Sequence, residues 1–208
     1  MIEQFKNYNI FNKINQAKMT VCVVCYGGCA SNMMVDNLEK NGFKCRSDIW
    51  TKLLCHSPEI IHTTIPIIYV YRDPVQAYLS MKRRGSGIWD INQRKLSNNN
   101  NVKLSDENLL QLMIRQFKMW VDFKNKHPNV KLMIVKYEEL FDPNFNTIIE
   151  SFMNKQNMKH FPIEYNKPHI TMESVKNDIS EKDLTLFEKY KTGIDFINNY
   201  SSKCSTFE

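Results

Sequence analysis

The stretch IIYVYRDP at positions 67–74 decides the fold, because an apolar run ends there on Arg72 and Pro74 follows two residues later. A nearly continuous apolar run predicts a buried strand, and proline fits best in the first turn of a helix. Ser80 stands eight positions after Arg72, within that helix. Because a guanidinium at a strand end and a hydroxyl on the next helix can meet on one phosphate, the segment is predicted to clamp an anion.

The composition is that of an ordinary globular protein with a mild excess of positive charge. The chain has 208 residues, a net charge of +6 and a pI near 8.9, and this length is enough for one sizeable core. A solvated basic surface and a site for an anionic ligand both explain the charge. The richest basic cluster, Lys82-Arg83-Arg84, is too short to predict a nucleic-acid groove.

The N-terminal residues and the cysteines bear on the compartment. Positions 1–18 are predicted to be an N-terminal extension without an apolar signal core, and no run is long enough to span a bilayer. The six cysteines are therefore expected to be free thiols of a cytoplasmic protein. Cys22 and Cys25 form a CxxC motif, but strand alternation points their thiols to opposite faces, so no metal or redox site is predicted.

Strands alternate with helices along the chain, and each strand is nearly continuously apolar. This pattern predicts an α/β fold of a single domain, 1–208: a three-layer sandwich with a central, mostly parallel sheet and helices on both faces. Positions 85–104, polar and asparagine-rich, are predicted to be a long loop that is functional or mobile. Strands are predicted at 20–26, 43–45, 65–71 and 130–135, and helices are predicted after Ser31, from Pro74, after Ser105, near Asn146 and after Ser180.

A second anion-binding turn follows the first predicted strand. In the sequence YGGCASN at positions 26–32, glycines allow close approach, and amides at a helix N-terminus can cradle a phosphate. The G-x-x-x-x-G-K-[ST] pattern of a Walker A loop is absent. An ordinary strand-to-helix turn without a ligand is an alternative interpretation of these residues. Likewise, Arg72 could form an ion pair with Asp73 instead of binding an anion. Parallel strands would bring both turns to one edge of the sheet, where they suit a nucleotide with phosphates at two places.

The order of these segments resembles that of the sulfotransferases that use 3′-phosphoadenosine 5′-phosphosulfate. Arg72-Asp73-Pro74 with Ser80 is similar to the 3′-phosphate motif of that family, and positions 27–32 occupy the place of its 5′-phosphosulfate loop. The sequence VKYEELFDP at 135–143 is similar to the family's YEDL…DP element. Cys55-His56-Ser57-Pro58 resembles the element that carries the catalytic histidine of cytosolic-type members.

The resemblance implies a P-loop-NTPase-like fold and a transfer reaction. A sulfuryl group would move from 3′-phosphoadenosine 5′-phosphosulfate to an acceptor hydroxyl or amine, leaving adenosine 3′,5′-bisphosphate, without a metal ion. His56 would act as the base, and Tyr137 would lie near the adenine. Lys52 is the other candidate catalytic residue, a cation that could reach the site from elsewhere in the chain. The implied contacts to the donor are Gly27, Gly28, Cys29, Ala30, Ser31, Asn32, Arg72 and Ser80.

The chain departs from the family pattern at two places. A lysine usually precedes the core of the family's first loop, and Gly28 stands in its place here. The C-terminal RKG loop has only loose counterparts, at 191–193 and 82–85. Two other functions therefore stay open: a P-loop-like kinase acting on a small molecule, and a non-catalytic nucleotide-binding or interaction module. The sequence identifies neither the acceptor nor the oligomeric state.

Overall fold

The protein is described by a computed structural model that covers residues 19–45, 64–97, 99, 101–159 and 179–201. The extension at 1–18 and the two predicted catalytic residues, Lys52 and His56, lie outside these ranges. The described elements are, in chain order, β1 (Cys22–Val24), α1 (Ser31–Lys40), β2 (Ile67–Tyr71), α2 (Pro74–Arg83), α3 (Ser86–Ser97), α4 (Asp106–Lys126), β3 (Leu132–Lys136), a 3₁₀ helix (Tyr137–Phe141), α5 (Phe145–Met153), α6 (Glu181–Lys189) and α7 (Lys191–Asn198).

The described strands form a parallel sheet with β2 in the centre. Ile68 of β2 is in register with Val23 of β1 on one side and with Met133 of β3 on the other. Every residue of β1 and β2 is buried, which accounts for their uninterrupted apolar sequences. The predicted α/β class with a parallel sheet is confirmed. Because the strands are parallel, the residues that follow β1, β2 and β3 all lie at one edge of the sheet.

Helix α4 covers one side of the sheet through aromatic contacts. The ring of Tyr69 lies 5.9 Å from that of Phe117 and 5.8 Å from that of Trp120, and Tyr71 lies 4.8 Å from Phe117. The buried positions of α4 recur at helical spacing, and Asn108 donates its amide N–H to Ser105 Oγ at 3.1 Å. The predicted amphipathic helix with a serine N-cap is therefore confirmed.

Asp183 ties α6 to α2. Its carboxylate is buried and accepts hydrogen bonds at Oδ1 from the Tyr78 hydroxyl and from Lys82 Nζ, both at 2.8 Å. Its Oδ2 accepts from Ser180 Oγ at 2.7 Å and from the Ser180 amide at 3.0 Å, so the predicted capping box is present. Burial alone would raise the pKa of Asp183, but the bonds from Lys82, Ser180 and Tyr78 outweigh it and hold that pKa far below its usual range.

Three sequence predictions are wrong. Positions 86–97 were expected to lie within a long loop, but they form α3. The sequence pattern did not indicate this helix because its buried face carries Asn92 and Gln93, where apolar residues would have shown the helical period. Residues 43–45 are not a strand, although Lys44 O accepts from the Thr20 amide at 3.0 Å. Ser31 was predicted to be the N-cap of α1, but it is the first residue of the helix, and Ala30 occupies the N-cap position.

No described helix combines the length and apolarity needed to cross a membrane.

Candidate functional site

Arg72 joins the ends of β2 and β3. The residue is 6% exposed, and its Cζ lies 4.5 Å from the centre of the Tyr137 ring. Its Nε donates to Gln76 Oε1 at 2.9 Å and lies 3.9 Å from Glu138 Oε1. Tyr137 and Glu138 are the first two residues after β3. The guanidinium predicted to clamp an anion therefore lies against the YEEL segment, another element of the resemblance.

Tyr26 connects this arginine to the glycine turn. Its hydroxyl oxygen accepts a hydrogen bond from the Arg72 amide at 3.0 Å, and its hydroxyl donates to the Arg72 carbonyl oxygen. Burial is the main reason why the pKa of Tyr26 lies well above its ordinary value, so the hydroxyl keeps the proton that it donates. The end of β2 and the turn after β1 are thus held together by one buried side chain that the sequence reading did not single out.

The turn itself is built from left-handed backbone. Gly27, Gly28 and Ala30 have φ values of 102°, 68° and 56°. The Cys29 thiol donates to the Gly27 carbonyl at 2.9 Å, and the Gly27 amide donates to Cys25 Sγ at 3.3 Å. Glycine is favoured at the first two of these positions because side chains other than those of Asn and Asp rarely adopt positive φ, and Ala30 is an exception in this turn. The hydrogen bond from the Cys29 thiol to the Gly27 carbonyl stabilises this turn.

The turn lies directly against α2 and α3. A Cβ atom at Gly28 would stand 2.7 Å from the Ala77 carbonyl oxygen and 3.0 Å from its Cα. A Cβ atom at Gly27 would stand 2.9 Å from Met81 Sδ and 3.3 Å from Asn92 Nδ2. Backbone therefore meets backbone at Gly28, and a lysine cannot stand in this position without moving α2. The absence of the loop lysine found in the sulfotransferases that the sequence resembles therefore has a steric explanation.

The N-terminus of α1 carries positive potential that its own residues do not offset. Ala30 makes no side-chain cap, and the first turn contains no acidic residue. By contrast, α4 has Ser105 as its cap and Asp106 and Glu107 in its first turn. Amides at an uncompensated helix N-terminus favour a negative ligand. Ser31 is buried beside this end and Asn32 is exposed.

Ser80 lies on α2, the helix that begins two residues after Arg72. The side chain is buried, and it stands four residues after Gln76 and three after Ala77. Residues with these spacings are neighbours on a helix surface. Gln76 contacts Arg72, and Ala77 contacts Gly28. Ser80 therefore shares one face of α2 with both parts of the proposed phosphate site.

Of the two loose counterparts of the C-terminal RKG loop, residues 191–193 lie within α7, and residues 82–85 span the end of α2 and the turn that follows it. Lys191 begins α7 and pairs with Asp195 at 2.8 Å, while a Cβ atom at Gly193 would stand 2.8 Å from the Ile114 side chain. Lys82 pairs with Asp183 at 2.8 Å. A different contact brings α7 to the site, because Asn198 Nδ2 donates to Asp73 Oδ2 at 2.7 Å.

None of the four described cysteines forms a disulfide, and all four are buried. Burial, followed by the nearby Cys45, raises the pKa of the Cys22 thiol to about 12. Within the described ranges, no group of three or more His, Cys, Asp or Glu side chains is arranged to hold a metal ion.

Substitution of Gly28 tests whether the turn packs closely against α2. Gly28→Ala should lower the free energy of unfolding by about 2 to 4 kcal/mol, because left-handed strain adds to a clash with the Ala77 backbone. Gly85→Ala is the matched control, since Gly85 also has positive φ but a Cβ there meets nothing within 4 Å; the expected cost is about 1 kcal/mol. Equal losses in urea unfolding of the two variants would contradict the close packing.

Comparison of the chain with protein-family models, with curated proteins and with solved structures finds no match.

Proposed function

We propose that the protein is a sulfotransferase that uses 3′-phosphoadenosine 5′-phosphosulfate, with its donor bound at the carboxyl edge of the parallel sheet. The fold proposed with this function is a P-loop-NTPase-like sandwich of three layers. Arg72 and Ser80 would hold the 3′-phosphate. The amides and side chains of residues 27–32 would hold the 5′-phosphosulfate, and Tyr137 would lie beside the adenine.

The position of Arg72 carries this proposal. A guanidinium with 6% exposure has lost most of its water, and a planar cation in such a setting binds phosphate strongly and with defined direction. The Tyr137 ring packs against the guanidinium, with its centre 4.5 Å from Arg72 Cζ. The Tyr26 hydroxyl binds both backbone polar groups of Arg72, so the arginine and the glycine turn keep one relative position. Two anion sites at a fixed separation suit a nucleotide with phosphates on both the 3′ and 5′ positions.

The proposed reaction is an in-line displacement at sulfur. The acceptor oxygen forms a bond to the sulfur atom, its proton passes to His56, and the bond from sulfur to the 5′-phosphate oxygen breaks. The leaving nucleotide keeps the electron pair, so negative charge grows on its 5′-phosphate. Amides and cations around that phosphate stabilise the transition state. Because Gly28 leaves no room for a side chain, we assign the cationic role to Lys52.

A non-catalytic nucleotide-binding module is the second candidate. The observation that favours it is the contact between Gly28 and the Ala77 backbone, which keeps the loop lysine of active sulfotransferases out of this position. In that case the edge of the sheet would bind the bisphosphate product and the sulfated donor without turnover.

Thermal unfolding separates the proposals. Adenosine 3′,5′-bisphosphate at about a hundred times its Kd should stabilise the protein by about 2.7 kcal/mol, which raises Tm by about 5 to 10 °C for a chain of this size. ATP with Mg²⁺ should have a smaller effect. A larger shift with ATP and Mg²⁺ would favour a kinase, and no shift with either ligand would contradict a nucleotide site.

Turnover then distinguishes an enzyme from a binding module. With a panel of sugar, phenol and alcohol acceptors, the wild-type protein should transfer labelled sulfate, and His56→Ala should abolish the transfer while nucleotide affinity is kept. His127→Ala is the matched control, because His127 ends α4 beside Phe123 and should leave turnover unchanged. Full activity of His56→Ala would remove His56 from the mechanism.

A further inference from the structure

Basic residues are clustered in one corner of the protein, where Lys82 is paired with Asp183 and four others follow it in the chain. This corner, defined as residues 82–97, comprises the end of α2 and all of α3. It contains five basic residues and one acidic residue in a chain whose net charge is +6. Residues 82–84 are exposed, and the basic residues of α3 are half-buried. The basic residues are Lys82, Arg83, Arg84, Arg94 and Lys95.

The same corner exposes branched apolar side chains. Ile88 is 41% exposed and Ile91 is 51% exposed, and they stand three residues apart on α3. Lys95 follows Ile91 by four residues, so the three side chains form one row on the helix surface. The opposite face of α3 is buried through Asn92, Gln93 and Leu96. Of the large hydrophobic residues in the described part of the chain, the only others that are clearly exposed are Leu184 and Phe196.

Aliphatic side chains interleaved with cations fit one class of partner in particular. At the surface of an anionic bilayer, lysine and arginine interact with lipid headgroups while neighbouring aliphatic groups enter the acyl boundary. A nucleic acid would reward the cations but would gain little from exposed isoleucines, since its recognition relies on phosphates, base edges and stacking. The corner satisfies both requirements of the bilayer.

We infer that residues 82–97 form a docking surface for an anionic lipid bilayer. The inference is independent of the proposed function, because it rests on the outward face of α3 rather than on Arg72. The two faces of α3 are nevertheless linked. Asn92 on the inward face donates to Met81 Sδ at 2.9 Å and lies beside Gly27, so docking would bring the glycine turn close to the bilayer.

Vesicle co-sedimentation tests the inference with the full chain. The wild-type protein should bind phosphatidylcholine vesicles that contain about one third phosphatidylserine, and pure phosphatidylcholine vesicles at least tenfold more weakly, since each basic residue near an anionic surface strengthens binding about fivefold. Binding should also fall at high salt, where the Debye length shortens.

Two sets of variants separate the two contributions. Ile88→Ser with Ile91→Ser, and separately Arg84→Gln with Arg94→Gln and Lys95→Gln, should each weaken binding about tenfold or more. The matched controls are Leu184→Ser, which changes an equally exposed apolar residue on α6, and Lys40→Gln with Lys103→Gln and Lys126→Gln, which removes the same charge from exposed positions elsewhere. The controls should keep at least half of the wild-type affinity.

Three results would overturn the inference. One is the absence of wild-type binding to anionic vesicles. Another is equal loss in the control variants, which would assign the effect to net charge. The third is unchanged vesicle binding of the isoleucine variant together with equally tight binding of a DNA duplex, which would make the corner a general polyanion surface.

Discussion

Arg72→Ala is expected to weaken the binding of adenosine 3′,5′-bisphosphate by about 10- to 100-fold, which corresponds to the loss of a charge-assisted phosphate contact. The affinity for adenosine 5′-monophosphate, which lacks the 3′-phosphate, should change by less than about threefold. The selectivity follows from the proposed division of the ligand: the guanidinium after β2 would bind the 3′-phosphate, and the N-terminus of α1 would bind the 5′ end. Isothermal titration with both nucleotides measures the difference.

Two further variants make this prediction sharper. Arg72→Lys keeps the charge but loses the planar contact with Tyr137 and the paired donors, so it should recover only part of the affinity. Arg115→Ala removes the same charge from an exposed position on α4 and should leave both affinities nearly unchanged. If Arg72→Ala lowers the affinity for both nucleotides by the same factor, Arg72 does not hold the 3′-phosphate.

Asp183→Asn is expected to lower the free energy of unfolding by about 2 to 3 kcal/mol at neutral pH. Both carboxylate oxygens accept hydrogen bonds, Oδ1 from Tyr78 and Lys82 and Oδ2 from Ser180. An amide offers one acceptor and one donor, so in either orientation at least one of these donors loses its acceptor at the buried Asp183 position. Asp195→Asn is the control, because the Lys191–Asp195 pair is exposed on both sides, and it should cost at most about 0.5 kcal/mol.

The stability of the wild-type protein and that of Asp183→Asn should also differ in their dependence on acid pH. The native pKa of Asp183 lies far below its ordinary value, so below about pH 4 the unfolded chain takes up a proton that the native protein does not. The stability contributed by Asp183 is therefore present above that pH and is lost as the pH falls further. Urea unfolding should show a steeper acid loss for the wild-type protein than for Asp183→Asn. Parallel pH curves would mean that Asp183 titrates alike in both states.

The sequence predicts the sheet and its long helix because the buried positions of these elements are occupied by apolar residues. Strand β2 is apolar at every position, and α4 repeats apolar residues at helical spacing, so each pattern leaves one interpretation. Helix α3 shows the limit of that reasoning. Its buried face includes the amide side chains of Asn92 and Gln93. Because asparagine and glutamine are usually exposed, their residue type does not indicate that these positions are buried.

The site was predictable in outline but not in its connections. Parallel strands place Arg72 and the glycine turn at one edge of the sheet, as their spacing indicates. The hydroxyl of Tyr26 that binds both backbone groups of Arg72 acts across 46 residues, and no local pattern records such a contact. The same holds for Gly28, whose close neighbour is Ala77. The resemblance placed Tyr137 near the ligand, and the ring beside Arg72 is compatible with that place. The roles of His56 and Lys52 stay predictions.

The contact between Gly28 and Ala77 bears on which ligands the proposed site would accept. Because no side chain separates the two backbones, the turn and α2 are expected to move together, and the distance between the groups proposed to bind the two phosphates would change little. A ligand whose two charged ends match that distance would lose little conformational entropy on binding. A ligand with the same two charges at a shorter span would reach only one of the two groups. Selectivity would then depend on length, even among ligands of equal charge.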